Sequence, residues 1–508
     1  MNLQLNLHKM PPGARARALH LDGVPTRCMI AVLCASLLLG VGGCATPMLQ
    51  SQVQPPERFA AAQTSEATAD VAWWEAYGDP VLSDLIHRAA HENRDIKIAA
   101  ERVRAARAGV TISRSSLLPN IGAVAGGLDQ STGYHGSARR SVPDLESASA
   151  ALSVSWELDL TGRLRAGAAA AAADARTTED HARGVRLLVV TDVATSYFTL
   201  VGALRQLDTV RAISVAQDET LRLVTARERV GLASTFDVER ARTDADRARA
   251  AIPPLETLAA ASRHRIAVLI GSQAAEAAGV TPWSGTTIVP DIQPGQPAEL
   301  LERRPDLLAS RAQLEAANLR RQQAAAEWFP RLFASALFGR QGLEVNGMDL
   351  GSARFSSVAA LLTMPILDWG RTRAVNDIAA SAQSEAVLRY EDAIVRALED
   401  VENALVALRE ERTRTNALHN AAASADAALG HAQSLYDRGQ IDLLPLLDAQ
   451  RTRLSVRIGA NDSHTRLLLS TVDLFKALGG GWQAFEPAAA PAAAAHPATP
   501  TSSQENPS

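Results

Sequence analysis

Leu367-Asp368-Trp369-Gly370-Arg371 opens the longest uninterrupted helical pattern in the chain, and Ala477-Leu478-Gly479 closes it. No proline lies between Pro365 and Pro445. Ile394, Leu398, Val401, Leu405 and Leu408 recur at steps of four and three, which sets them on one helix face. The pattern breaks at Arg438-Gly439-Gln440-Ile441-Asp442 and resumes at Pro445-Leu446-Leu447-Asp448. Glycine past a helix end and proline in a first turn are stop and start signals. The stretch predicts a helical hairpin whose first arm, Arg371 to Arg438, is about 100 Å long at about 1.5 Å per residue.

A shift of 208 positions lays an earlier segment on this one. Gly162-Arg163 falls on Gly370-Arg371, Gly231 on Gly439, and Leu269-Ile270-Gly271 on Ala477-Leu478-Gly479. The apolar seam recurs as Val193, Tyr197, Leu200, Leu204 and Leu207. Coincident turns and ends over more than about 100 residues mark an internal repeat. Ahead of each long helix lie a shorter helix and two strand-like runs. The first pair is Ile121–Leu128 and Ser149–Asp159, where Leu152, Val154, Trp156 and Leu158 alternate with Ser153, Ser155, Glu157 and Asp159. The second pair is Arg331–Arg340 and Phe355–Ile366, with a glycine-rich loop expected between. Pro80 after Asp79 starts a helix that Asn93 interrupts, and Pro253-Pro254 breaks the returning helix of the first half alone.

The expected organisation is a signal peptide over 1–43, a tether over 44–70, a first repeat over 71–271, a linker over 272–297, a second repeat over 298–482 and a disordered tail over 483–508. The leader has basic residues, an apolar run from Met29 to Val41, and small residues before Cys44. That pattern resembles the bacterial lipoprotein box, which implies cleavage before Cys44 and lipid on its thiol. Ala45 after it points to the outer membrane. Two or more acyl chains anchor stably where one is marginal. Removal of the leader takes Cys28 and Cys34 with it, so no disulfide forms within one mature chain.

A formal net charge of −4 gives no basic footprint for nucleic acid. His87 and His91 share a helix face, but no Glu completes a His-Glu-x-x-His motif and no third ligand is evident. There is no cysteine cluster, phosphate-cradling loop or nucleophile elbow, so neither enzyme nor cofactor chemistry is expected.

Four strands do not close a barrel, and an open sheet edge is not tolerated in lipid. Either the strands stay out of the membrane or several chains pool them, and a trimer supplies twelve. Trp156, Trp328, Phe329 and Trp369 sit at the strand–helix junctions, where an interfacial aromatic girdle belongs.

The chain resembles the outer-membrane efflux protein family, the TolC-like channels, in its lipoprotein branch serving resistance-nodulation-division pumps. The resemblance rests on Trp74 to Pro80, Asn93, Arg303-Arg304-Pro305-Asp306, Phe329-Pro330, Asp368-Trp369-Gly370-Arg371, Leu446-Leu447-Asp448-Ala449-Gln450-Arg451 and Ala477-Leu478-Gly479-Gly480-Gly481-Trp482. It implies a mostly α fold with a small membrane β part. Three chains would form a 12-stranded β-barrel continuous with a long periplasmic α-helical barrel. It implies a passive exit duct that meets a periplasmic adaptor and an inner-membrane pump at the hairpin turns, near Gly231, Leu232, Gly439 and Gln440. Asp442, with Asp437 behind it, is the expected acidic ring at the aperture, although Asp442 also stands where a helix cap belongs. A type I protein-secretion channel and a purely structural coiled-coil lipoprotein are the rival readings. Substrate is not legible.

Overall fold

The structure, a computed structural model, describes residues 47–61 and 71–486. The expected signal segment, Cys44 and the tail from 487 onward lie outside the described residues. A 3-10 turn at Trp73–Tyr77 precedes α1 (Pro80–Glu92) and α2 (Arg94–Ser115). Asp79 caps α1 by accepting from the Val81 and Leu82 amides, and Asn93 both ends α1 and caps α2. These are the local reasons the chain breaks there. Next come β1 (Asn120–Gln130), the short α3 (Ala138–Ser141) and β2 (Leu145–Leu158). The long α4 (Arg163–Arg229) follows, then α5 (Thr235–Ala250) and α6 (Ile252–Leu269), separated at Ala251 just before the paired prolines. The second half holds α7 (Leu300–Arg303), α8 (Pro305–Ala325), β3 (Arg331–Val345), β4 (Met348–Thr363), α9 (Arg371–Asp437) and α10 (Leu443–Ala477).

Both α4 and α9 contain 67 residues, and both follow a glycine in the left-handed region, Gly162 at φ 79° and Gly370 at φ 90°. Each helix is roughly 100 Å long. Of the α4 seam, Val193, Tyr197 and Leu200 lie in one apolar cluster with Trp73, Trp74, Tyr77, Leu82, Ile86 and Phe475, and Leu204 packs against it. The seam residues of α9 pack with Leu300, Leu307, Leu474 and Leu478. Within the first cluster the Tyr197 hydroxyl donates to Asp79 at 2.7 Å, and Tyr77 hydrogen-bonds Thr471 at 2.5 Å. Burial pushes both phenols well above their ordinary pKa. They act as un-ionised hydrogen-bonding groups that tie the 71–80 segment to α4 and α10.

The returning helices end on matching anchors. The Asn93 amide donates to the Leu269 carbonyl at 2.9 Å, and the Arg304 guanidinium donates to the Ala477 carbonyl at 3.1 Å. Leu269 and Ala477 stand 208 positions apart. These bonds satisfy carbonyls that a helix end leaves open. Gly271 and Gly479 follow at φ 80° and 71°, each with the anchor segment against its α-carbon.

The strands form one antiparallel sheet in the order β1-β2-β3-β4. The glycine-rich loop expected between Arg340 and Phe355 is replaced by a tight hairpin. β3 continues to Val345, Asn346 and Gly347 make the turn at φ 53° and 80°, and β4 starts at Met348. Asn-Gly tolerates positive φ at both central positions and suits the strand twist. The glycines at 342 and 351 flank this tight turn. Phe355 lies opposite Gly339 in register, and its ring covers the glycine.

Three segments differ from the sequence expectation in being packed. Residues 48–61, expected as tether, lie along α8 and α9. Leu49 exchanges main-chain bonds with Asn318, Gln52 donates to Glu391, and Ala60 and Ala61 donate to Glu402. Phe59 is buried in the α9 cluster. The carboxylates of α9 satisfy an extended backbone that has no sheet partner there. In the expected linker, the Ile288 amide donates to the Tyr77 carbonyl and the Trp283 amide to the Tyr197 hydroxyl. At the start of the expected tail, Phe485 stacks on Trp74 at 5.4 Å, and Glu486 accepts from Arg183 and Arg186.

Candidate functional site

The residues singled out in the sequence fall in two places: the helical tip where the hairpins turn, and the end of the sheet nearest the helices. At the tip, α4 and α9 stop alike. The Leu232 amide donates to the Arg227 carbonyl and the Gln440 amide to the Leu435 carbonyl, both at 2.9 Å, while Gly231 and Gly439 take φ 75° and 72°. This is the glycine C-cap expected of such turns. Ser234 and Asp237 then form a reciprocal capping box that starts α5. Helix α10 starts at Leu443, two residues before the expected Pro445.

The predicted aperture residues are exposed. Asp437, the last residue of α9, accepts from Gln433 at 3.0 Å. Asp442 stands at the N-cap position of α10, but its carboxylate makes no capping hydrogen bond. Val230, Leu232 and Phe236 are each about 70% exposed beside the first turn.

Behind the turns, the two hairpins are tied together by contacts the sequence did not single out. Arg451 on α10 grips Asp244 on α5 through bonds of 2.7, 2.9 and 3.1 Å, and the Asp244 side chain is 6% exposed. The Arg227 guanidinium lies 4.3 Å from the centroid of the Tyr436 ring. Gln450 donates to Thr220 at 3.1 Å. Val224, Val238, Ala241, Tyr436, Leu446 and Leu447 fill the space between. Arg451 closes the Leu446–Arg451 motif, and nothing in that motif specifies Asp244 as its partner.

At the other end, Trp156, Trp328, Phe329 and Trp369 all lie where the strands meet the helices. Trp156 donates its indole N–H to the Leu117 carbonyl at 3.1 Å and sits opposite Ala334 in register. Trp328 is 53% exposed and Trp369 is 90% exposed with φ 55°, whereas Phe329 is half-buried. Arg163 pairs with Glu157 at 2.7 Å and faces Glu327, which also pairs with Arg331.

His87 stands edge-on to Trp74 at 6.1 Å and to Phe485 at 5.6 Å, so its ring packs with aromatics. No group of three potential metal ligands occurs among the described residues.

The chain joins an open-edged, four-stranded antiparallel sheet to two helices of 67 residues each. The model of the outer membrane efflux protein family matches residues 85–272 and 297–480, one segment in each half. The chain is 34% identical over 426 residues to the outer membrane protein OprJ of Pseudomonas aeruginosa, covering 83% of this chain and 89% of OprJ. It is 32% identical over 464 residues to the pyoverdine export outer membrane protein OpmQ of the same species, covering 89% and 97%. It superposes on the outer-membrane channel OprN with a TM-score of 0.77 at 27% identity, covering 87% of this chain and 100% of that one. The chain belongs to the outer membrane efflux protein family, and it is an outer-membrane efflux channel with a helical part extending into the periplasm.

Proposed function

We propose that three copies of this chain close one exit duct, with four strands from each making a 12-stranded barrel and six long helices making the tube beneath it. The open sheet carries this reading. Each outer strand, β1 and β4, has one partner strand among the described residues, so each offers an unpaired edge. One sheet face runs Leu158, Trp156, Val154 and Leu152 along β2 beside Leu332, Ala334, Ala336 and Phe338 along β3. An apolar face with open edges is stable in lipid only when neighbouring copies complete the ring. The two halves are an internal duplication, which lets one chain contribute two similar sectors.

In this reading Cys44 carries the lipid anchor, and Trp156, Trp328, Phe329 and Trp369 form the periplasmic-side aromatic girdle. The turns at Gly231, Leu232, Gly439 and Gln440 meet a periplasmic adaptor, and an inner-membrane resistance-nodulation-division pump drives small toxic compounds through the duct. Asp442, with Asp437 behind it, rings the aperture, and three-fold repetition triples each charge.

The direct test is a deletion strain scored against antibiotics, dyes, detergents and organic acids, with outer-membrane fractions probed for heat-sensitive trimers. Greater sensitivity to at least one class is expected. Monomers in a soluble fraction, or an unaltered panel in a strain that expresses the pump, refute the proposal. For the aperture, Asp442→Ala is expected to change closed-state conductance in planar bilayers. An unchanged conductance removes Asp442 from the ring.

A further inference from the structure

The sheet register brings two arginines face to face. Arg340 on β3 pairs directly with Arg354 on β4, so their side chains project from the same face. Both are exposed, and neither has an ion-pair partner among the described residues. Directly opposed like charges about 5 Å apart at Cβ destabilise an antiparallel pair. An anion bound between them removes that penalty.

Their depth says which anion. The face is the apolar one, continuous with Leu158, Leu332 and Leu362 at the end near the helices. Arg340 lies eight residues along β3 from Leu332. At about 3.4 Å per residue and a strand tilt near 40°, that is roughly 20 Å along the membrane normal. The apolar band of such barrels is about 25 Å tall, and arginine side chains reach several Å further towards water. The guanidinium groups therefore arrive at the outer edge of the hydrocarbon. Two rungs beyond, Glu344 faces Asp349, which marks the wet side. At that boundary the abundant anion is a lipid phosphate, and the guanidinium fork matches phosphate oxygens in pairs.

We infer that Arg340 and Arg354 form a binding site for the phosphate headgroup of an outer-leaflet lipid, held against the outside of the barrel. Nothing in the sequence pattern alone pairs these residues, which stand 14 positions apart across the Asn346-Gly347 turn. The inference rests on the barrel reading, because that reading turns this face to lipid.

The test uses the full chain in nanodiscs of phosphatidylcholine with or without phosphatidic acid, followed by native mass spectrometry after mild delipidation. Wild type is expected to retain phosphatidic acid. R340Q/R354Q is expected to retain at least about tenfold less, and R340K/R354K an intermediate amount that keeps charge but loses the fork. The single R354Q repeats the measurement in case the double variant fails to assemble. Equal retention by wild type and the glutamine variants overturns the inference. Full displacement by inorganic phosphate also overturns it, since the site is then a surface anion site. Quenching by brominated acyl chains, compared between wild type and W156F, separates the lipid site from the barrel reading. A Trp156 component that is quenched while retention is unaffected leaves the barrel reading standing and removes the lipid site. A Trp156 component that is not quenched removes both.

Discussion

Replacing Asp244 with asparagine removes the charge that ties the two hairpins together behind their turns. Asp244 is 6% exposed and Arg451 is 38% exposed on their side chains, and three short bonds join them. A pair at such distances interacts by about 4 kcal/mol at an effective dielectric near 20. The water reaching Arg451 roughly halves that. An asparagine carbonyl still accepts one bond, so the net loss is about 2 kcal/mol. If the tie is whole in the closed tip and broken in the open one, 2 kcal/mol is about a 30-fold shift of the opening equilibrium per chain. Planar-bilayer recordings at low salt are expected to show a larger mean conductance for D244N and for R451Q. The charge-swapped D244R/R451D is expected to restore wild-type behaviour. A half-buried pair is weakly screened, so the effect is expected to persist at moderate ionic strength. Conductance that stays at the wild-type value while the melting temperature falls refutes the gating role and leaves a structural tie. No change in either measurement refutes the energetics.

Other expectations follow from the same geometry. Gly271→Ala and Gly479→Ala each place a Cβ 2.7–2.9 Å from main-chain atoms of the anchor segment at positive φ, so each is expected to cost about 2–4 kcal/mol of thermal stability. Gly430→Ala lies in helix α9 with open space around its Cβ and is expected to stabilise by about 0.5–1 kcal/mol, which calibrates the pair in the same melting assay. His464 is half-buried, and burial, with a smaller push from Arg205, lowers its pKa from 6.5 to about 4. The folded state therefore prefers the neutral ring. Its contribution is full above pH 6.5 and is lost as pH falls towards 4. The gap is worth roughly 2 kcal/mol between pH 7 and 5, reduced by solvent screening to about 1 kcal/mol. H464Q is expected to flatten that part of a melting-temperature profile, and an unchanged slope contradicts the assignment.

The features legible in the residues are those whose causes are local. Glycine past a helix end, proline in a first turn and apolar spacing of three and four act over a few residues, so the 67-residue helices, the turns at Gly231 and Gly439 and the break before Pro253 are visible in one dimension. The Asn346-Gly347 hairpin was equally local, but the surrounding glycines read as loop composition and hid the two-residue turn. Asp442 was legible as a cap position, yet whether its carboxylate caps depends on side-chain geometry that spacing does not set.

What tertiary structure alone decided is register between distant elements. Arg451 meets Asp244 across 207 positions, and Arg304 reaches the Ala477 carbonyl across 173. Residues 48–61 gain their place from Glu391 and Glu402, over 300 positions away. Helix periodicity states which face is apolar but not how far one helix slides along another. That offset is set by packing in three dimensions, where interlocking side chains and paired charges admit one alignment. The hairpins and the class of protein were legible in the order of the residues. The fold decided which residues tie the tip, how the anchors close each returning helix, and which side chains share the rungs of the sheet.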